Sequence, residues 1–190
     1  IPGPSTRLPN CLAASVCGTV ATGGTIGDGR IEAGAALDPG LAQTLAQEAG
    51  KAFIHLGAAG LIGGVQATAA NLTAGESNPT TPLGGTWAIA SSTGAATGVV
   101  DVTGLTSGVY MIAKSSAVGA AVPATNVQTM TPSNAANIDR KLDDGNPVTG
   151  GVRAVGAALG AAACANTVAG VVVYNEQLGG TVCGVISKVQ

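Results

Sequence analysis

Five short apolar runs, each bounded by glycine, serine or a polar turn, set the terms of this fold. They are GTWAIAS (residues 85–91), GVVDVTG (98–104), GVYMIAK (108–114), GVVVYNE (170–176) and TVCGVISKV (181–189). Each is too short for a stable helix and rich in β-branched residues, so each reads as a strand. The first three follow one another across short connections, which predicts an antiparallel meander. The last two face each other across QLGG and predict a closing hairpin. Parallel pairing would need a crossover of a dozen or more residues between consecutive strands, usually a helix. The helical patterns lie outside the first group of runs, so α+β is favoured over a doubly wound sheet.

Two helices are expected. Asp38 is a good N-cap and Pro39 suits the first helical position. Leu41, Leu45, Ala49, Ala52, Phe53 and Leu56 then recur at three- and four-residue spacing, and Gly63-Gly64 ends the pattern, which predicts a helix over 38–63. The second helix, near 132–143, has Thr131 as N-cap, Pro132 at its start and Ala135, Ile138 and Leu142 on one face. It stops in Asp143-Asp144-Gly145-Asn146-Pro147, with Gly145 as the left-handed residue beyond the end. Residues 1–37 read as loop. The chain of 190 residues is expected to form a single domain, 1–190, with the sheet within 85–190 and a helix packed on it between long Gly-rich loops.

Composition limits how such a core is filled. Hydrophobic residues make up 46% but aromatics only 2%, so Ala, Val, Leu and Ile must do the packing. Charged residues are 9%, against about 25% in an average domain. Low charge with high hydrophobicity is the reverse of a disordered composition, and thirty glycines imply tight turns and close backbone contacts. A net charge of −2 with scattered Lys and Arg gives no basic stripe, so no nucleic-acid partner is expected. Ala154 to Tyr174 carries no charge, yet Asn166 and Thr167 near its middle argue for a hairpin of buried strands rather than a membrane span. A low-charge surface of Ala, Gly, Thr and Ser suits a protein that packs against copies of itself.

Cys11, Cys17, Cys164 and Cys183 form an even set without a CxxC. Proximity favours Cys11–Cys17 and Cys164–Cys183, though three connectivities are open. Disulfides would place the chain outside the cytoplasm, and four buried thiols would place it inside.

Candidate chemistry is sparse. His55 is the only histidine and lies in a helical pattern, and no GxSxG accompanies it, so no catalytic residue and no enzyme activity is expected. Gly24, Gly27 and Gly29 imitate a phosphate loop without its strand and helix. Asp28 and Glu32 do not define a cation site. Six of the chain's charged residues fall within Asn137–Ala154. There Asp139, Asp143 and Asp144 are candidate calcium ligands, but their spacing fails the DxDxDG calcium loop. Turn capping by these aspartates, with Asp139 paired to Arg140 or Arg153, is the plainer expectation. Asn71 opens an NLT sequon. No cofactor is expected beyond that open calcium question.

Two segments resemble a known family. AFIHLGAAGLIGG is similar to the W-x-H-L-x-x-A-G-L-I-x-G helix of bacterial prepilin-type proteins, relatives of type IV pilins and type II secretion pseudopilins. MTPSNAANIDRKLDDGNPVTGGVRA resembles the same group's L-T-P-x-x-A-x-x-I-D-x-K-I-D-D-G-x-P-x-T-G-x-V-x-A. IPGPSTRLPNC and GDGRIEAG are similar to its L-P-G-D and G-N-G-x-I-E-G segments, and all four occur in the family's order within residues 1–154. The matched positions include His55, Leu56, Gly60, Ile138, Asp139, Lys141, Asp143, Asp144, Gly145, Pro147 and Gly150. Pro4 replaces the usual Asp, and the aromatic before His-Leu is displaced to Phe53. The resemblance implies a pilin-like head, displayed on an extracellular or periplasmic filament and partnered by copies of itself or other pilin-like subunits. It implies membrane contact only through an N-terminal helix that this sequence does not contain. The alternative is a secreted adhesin or carbohydrate-binding head, using loops 65–84 and 91–98 with Trp87 and Tyr110 as stacking residues.

Overall fold

The computed structural model describes residues 30–33, 42–45, 47–66, 71–94, 105–115, 119, 128–156 and 159–189. In chain order the elements are α1 (Glu48–Ala58), β1 (Thr86–Thr93), β2 (Ser107–Lys114), α2 (Pro132–Leu142), β3 (Val152–Gly156), β4 (Ala165–Val168), β5 (Val171–Tyr174) and β6 (Cys183–Val189). Strands β1-β2-β6-β3 form one antiparallel sheet, and β4-β5 form a separate two-stranded ribbon. The fold is α+β.

Period-two alternation divides the main sheet into two buried faces. On one, Ala88, Tyr110, Ile112 and Ile186 align across the register and pack with Leu105 and Val155. Ala90 continues this face against Ala49 of α1. On the other, Ala113, Val152, Val185 and Cys183 pack with Ala135 and Ala136 of α2, together with Met130, Cys164 and Tyr174. The sheet is therefore a middle layer, with α1 on one side and α2 beside the β4-β5 ribbon on the other. Small residues let these layers approach closely. At Gly50 the absent Cβ also lets the turn before α1 fold onto the helix, since a Cβ there would overlap the Thr44 carbonyl.

Three expectations are corrected. The first helix starts at Glu48 rather than Asp38, because Gln47 is extended (φ −107°, ψ 154°) and its side chain accepts from Thr44 N at 2.7 Å in a local turn. Asp38, Pro39 and Leu41 lie outside the described residues. The helix also ends earlier, at Ala58, where Gly60 turns left-handed (φ 71°) before Gly63-Gly64 is reached. Second, β1 pairs directly with β2, so no strand separates them in the sheet, and 98–104 lies outside the described residues. Third, the closing hairpin does not form. Ala169 (φ 50°) and Gly170 (φ 82°) make the two-residue left-handed corner that a tight hairpin requires, so β5 folds back on β4. β6 is left to enter the main sheet between β2 and β3. The hairpin that does form is not buried either: Val168, Val171 and Val173 are exposed.

Both outer edges of the main sheet are closed by irregular chain. Along β1, Trp87 N donates to Pro79 O (3.0 Å), Ser91 N to Ile31 O (2.8 Å), and Gln43 Nε2 to Ile89 O (3.4 Å). Along β3, Val152 N donates to Asp143 Oδ2 (3.0 Å) and Ala154 N to Pro147 O (2.9 Å). Open edges template pairing with other chains, and these two are capped.

Candidate functional site

The charged segment folds as a clamp between α2, β3 and the ribbon. Thr131 caps α2, its hydroxyl accepting from Asn134 N at 3.3 Å. Pro132, Ala135, Ala136 and Asp139 form the buried stripe, while Leu142 of the expected apolar face is exposed. The stripe is rotated by about one position from the sequence reading, because a carboxylate sits within it. Asp139 is fully buried and accepts from Tyr174 Oη (2.8 Å) and Gly145 N (3.2 Å). Burial raises its pKa, the two hydrogen bonds oppose that shift, and Asp144 and Asp143 add to it. Tyr174 is pushed up in turn, first by burial and then by Asp139. Asp139 thus bonds neither Arg140 nor Arg153; Arg140 instead forms a two-pronged pair with Glu176.

Asp143 is the C-cap of α2, and its carboxylate accepts from Gly151 N and Val152 N. Asp144 accepts from Thr149 Oγ1 (2.6 Å) and Asn146 N (2.8 Å), and these bonds, Thr149's first, lower its pKa. The turn's glycines follow from this packing. At Gly150 (φ 75°) a Cβ would collide with the Asp143 carboxylate. Gly145 (φ 73°) lies two residues beyond the cap, one further out than a C′ glycine, and a Cβ there would stand 2.8 Å from Arg140 Cγ. Pro147 is buried and lends its carbonyl to β3.

Asp139, Asp143 and Asp144 bring one ligand oxygen each within 4.8 Å of one another. The donor set is of the hard-cation type. Each carboxylate, however, already receives two donors from the protein, so a cation would have to share oxygens that hold the turn together.

A second feature lies on the other flank of α2. Trp87, Met111, Ala113 and Val185 on the sheet, with Leu83, Ile138 and Leu142 beside them, line an apolar groove of about 560 Å³. Leu83, Leu142 and Val189 on its rim are exposed. Lys188 also contributes to the lining, but its amine donates to Thr106 Oγ1 (3.0 Å).

The remaining predicted residues are dispersed. Cys164 and Cys183 form a disulfide that ties the ribbon's base to β6, whereas Cys11 and Cys17 lie outside the described residues, as do Asp28 and the Gly24-to-Gly29 loop. His55 and Leu56 are half-buried in the last turns of α1, remote in sequence from the clamp. Ile138 lines the groove, and with Lys141, Asn134 and Asn137 it also lines a separate hollow beside Leu83. Asn71 is exposed. Glu32 meets α1, its amide donating to Glu48 Oε2 (3.4 Å). Tyr110 is fully buried and donates to Thr106 O (2.9 Å), so it is not available to stack on a ligand. Sequence reasoning missed Tyr174 and Glu176 as the partners of Asp139 and Arg140. Their only signal was a Tyr and a Glu flanking Asn175 in a strand run.

Comparison with protein-family models, curated proteins and solved structures returned no match. Among the described residues, no helix is long and apolar enough to cross a membrane.

Proposed function

We propose that this chain is the globular head of a pilin-like or pseudopilin-like subunit, assembled into an extracellular or periplasmic filament. The observation that carries the reading is the folding of its most family-like segment. The IDRKLDDGNPVTG stretch serves as a clamp: Asp143 stops a helix, Asp143 and Pro147 close a sheet edge, and Asp139 and Arg140 anchor a ribbon, which is a scaffold role. The antiparallel sheet layered against α1 and the Cys164–Cys183 disulfide agree with a secreted head of this kind. The apolar groove beside α2, rimmed by exposed Leu83, Leu142 and Val189, offers a concave face on which a neighbouring subunit would pack. Negative-stain electron microscopy of the protein at assembly concentrations tests the reading. Regular fibres of this subunit are expected, and monodisperse particles under every assembly condition would refute it.

A further inference from the structure

The two flanks of α2 carry opposite shapes. On one side, Ile138 and Leu142 wall the apolar groove. On the other, Asp139 and Arg140 hold the β4-β5 ribbon through Tyr174 and Glu176. The ribbon ends in Val168 and Val171, 56% and 58% exposed, with Val173 beside them. It contains no charged residue from Ala165 to Tyr174. Among the described residues, the main-sheet edges are capped, and this uncharged ribbon presents exposed valines instead.

Charge matching narrows the occupant of the groove. Among the described residues its lining is mostly apolar, with Thr81 and Ser187 neutral and no carboxylate, and the amine of Lys188 is engaged by Thr106. An acidic or basic partner would lose solvation there without gaining an ion pair. A neutral apolar projection fits, and the ribbon is such a projection on the same molecule. Because projection and groove lie on opposite flanks of one helix, a molecule presents both at once to different neighbours. Contacts of that head-to-tail kind repeat without closing when the rotation does not bring the ends together.

We propose that the β4-β5 ribbon of one copy seats in the α2 groove of the next, placing Val168 and Val171 against Trp87, Met111 and Leu142. This deepens the filament reading and rests on it only for the biological setting. The test uses two double variants at exposed positions: Val168→Glu/Val171→Glu in the ribbon, and Leu83→Glu/Leu142→Glu in the groove. Thermal melts establish that both fold. Sedimentation velocity over a concentration series should show open-ended association of the unaltered protein and at least about tenfold weaker self-association of each variant. Mixed in equal amounts, the variants should give a one-to-one dimer and nothing larger, since one retains the ribbon and the other the groove. A monomeric mixture, or association undiminished in either variant, overturns the proposal. Should a double variant fail to fold, mixed Val171→Cys and Leu142→Cys proteins joined by a bifunctional maleimide supply the decision. A cross-link between those two cysteines supports the contact, and its absence overturns it. Fibres that survive the ribbon substitutions remove this contact and leave the filament reading standing. A one-to-one dimer from a protein that never forms fibres does the reverse.

Discussion

Replacing Tyr174 with Phe removes one hydroxyl and tests whether Asp139 is a structural joint. The carboxylate is fully buried and has two protein donors, Tyr174 Oη at 2.8 Å and Gly145 N at 3.2 Å. Hydrogen bonds to a charged group contribute about 1.5–3 kcal/mol each, and the partner left behind stays buried. The ribbon keeps two other ties, Arg140–Glu176 and Cys164–Cys183, so the loss should be local in origin. We expect Tyr174→Phe to lower the urea-unfolding free energy at pH 7 by about 2 kcal/mol with an unchanged m-value. Asp139→Asn keeps an acceptor and sheds a buried charge, so it should cost less than about 1 kcal/mol. A double-mutant cycle should then return a coupling of about 1–2 kcal/mol. The pH dependence has a definite sign. Because the Asp139 pKa is raised above 3.8, its contribution is fully present below that value and is lost as pH rises through the folded pKa. Removing the Tyr174 bond, which holds that pKa down, moves the loss to higher pH, and Asp139→Asn abolishes it. A Tyr174→Phe cost under about 0.5 kcal/mol, or no coupling, would refute the joint.

Other perturbations follow from the same geometry. Reduction of Cys164–Cys183, which spans 19 residues, should cost about 3 kcal/mol by loop entropy, and a melting temperature indifferent to reductant or to Cys164→Ser/Cys183→Ser would exclude that. Gly150→Ala forces a Cβ into the Asp143 carboxylate at φ 75°, so calorimetry should record a loss of about 1–3 kcal/mol, whereas a neutral result would mean the clamp is not formed as described. Lys114 is fully buried, and desolvation lowers its pKa to about 8 from 10.5. Its folded pKa is depressed, so stability rises with pH between those values, by up to about 3 kcal/mol, and is lost as pH falls through 8. Lys114→Met should flatten urea-unfolding free energies across that window, and an unaltered slope would assign the pH dependence elsewhere.

The legible parts of this fold were those governed by local rules. Thr131-Pro132 marked the start of α2 because capping and a fixed proline φ act within one turn. GTWAIAS and GVYMIAK announced β1 and β2 because alternation and glycine boundaries are local too. Pairing was not legible. GVVVYNE and TVCGVISKV sit four residues apart, and nothing in their composition says that the first will turn back at Ala169-Gly170. An alanine at φ 50° carries no sequence signal, since a tight corner is usually marked by Asn or Gly at that position. The candidate site divided in the same way. Asp143 and Asp144 could be read as turn-capping residues from spacing alone. Asp139 could not be paired, because its partner lies 35 residues away on a ribbon whose register the sequence did not reveal.

Scarcity of aromatic residues explains why such joints matter here. With one Trp, two Tyr and one Phe, the layers meet through alanine and valine, each of which buries little area. Both tyrosines fill the core with their rings and use their hydroxyls at joins. Tyr110 donates to Thr106 O, where the chain enters β2, and Tyr174 donates to Asp139 between α2 and the ribbon. Lys188 adds a bond to the same Thr106 from the neighbouring strand. A fold assembled this way concentrates its specificity in a few buried polar contacts, a disulfide and a clamp of aspartates around glycine. Truncating one core alanine such as Ala88 to glycine should therefore disturb it less than removing the Tyr174 hydroxyl, by about 0.5–1 kcal/mol against about 2 in urea unfolding, although the alanine is fully buried. The charge cluster and the small-residue core are two sides of one solution: layers that pack closely but weakly, fixed in register by polar groups at their borders.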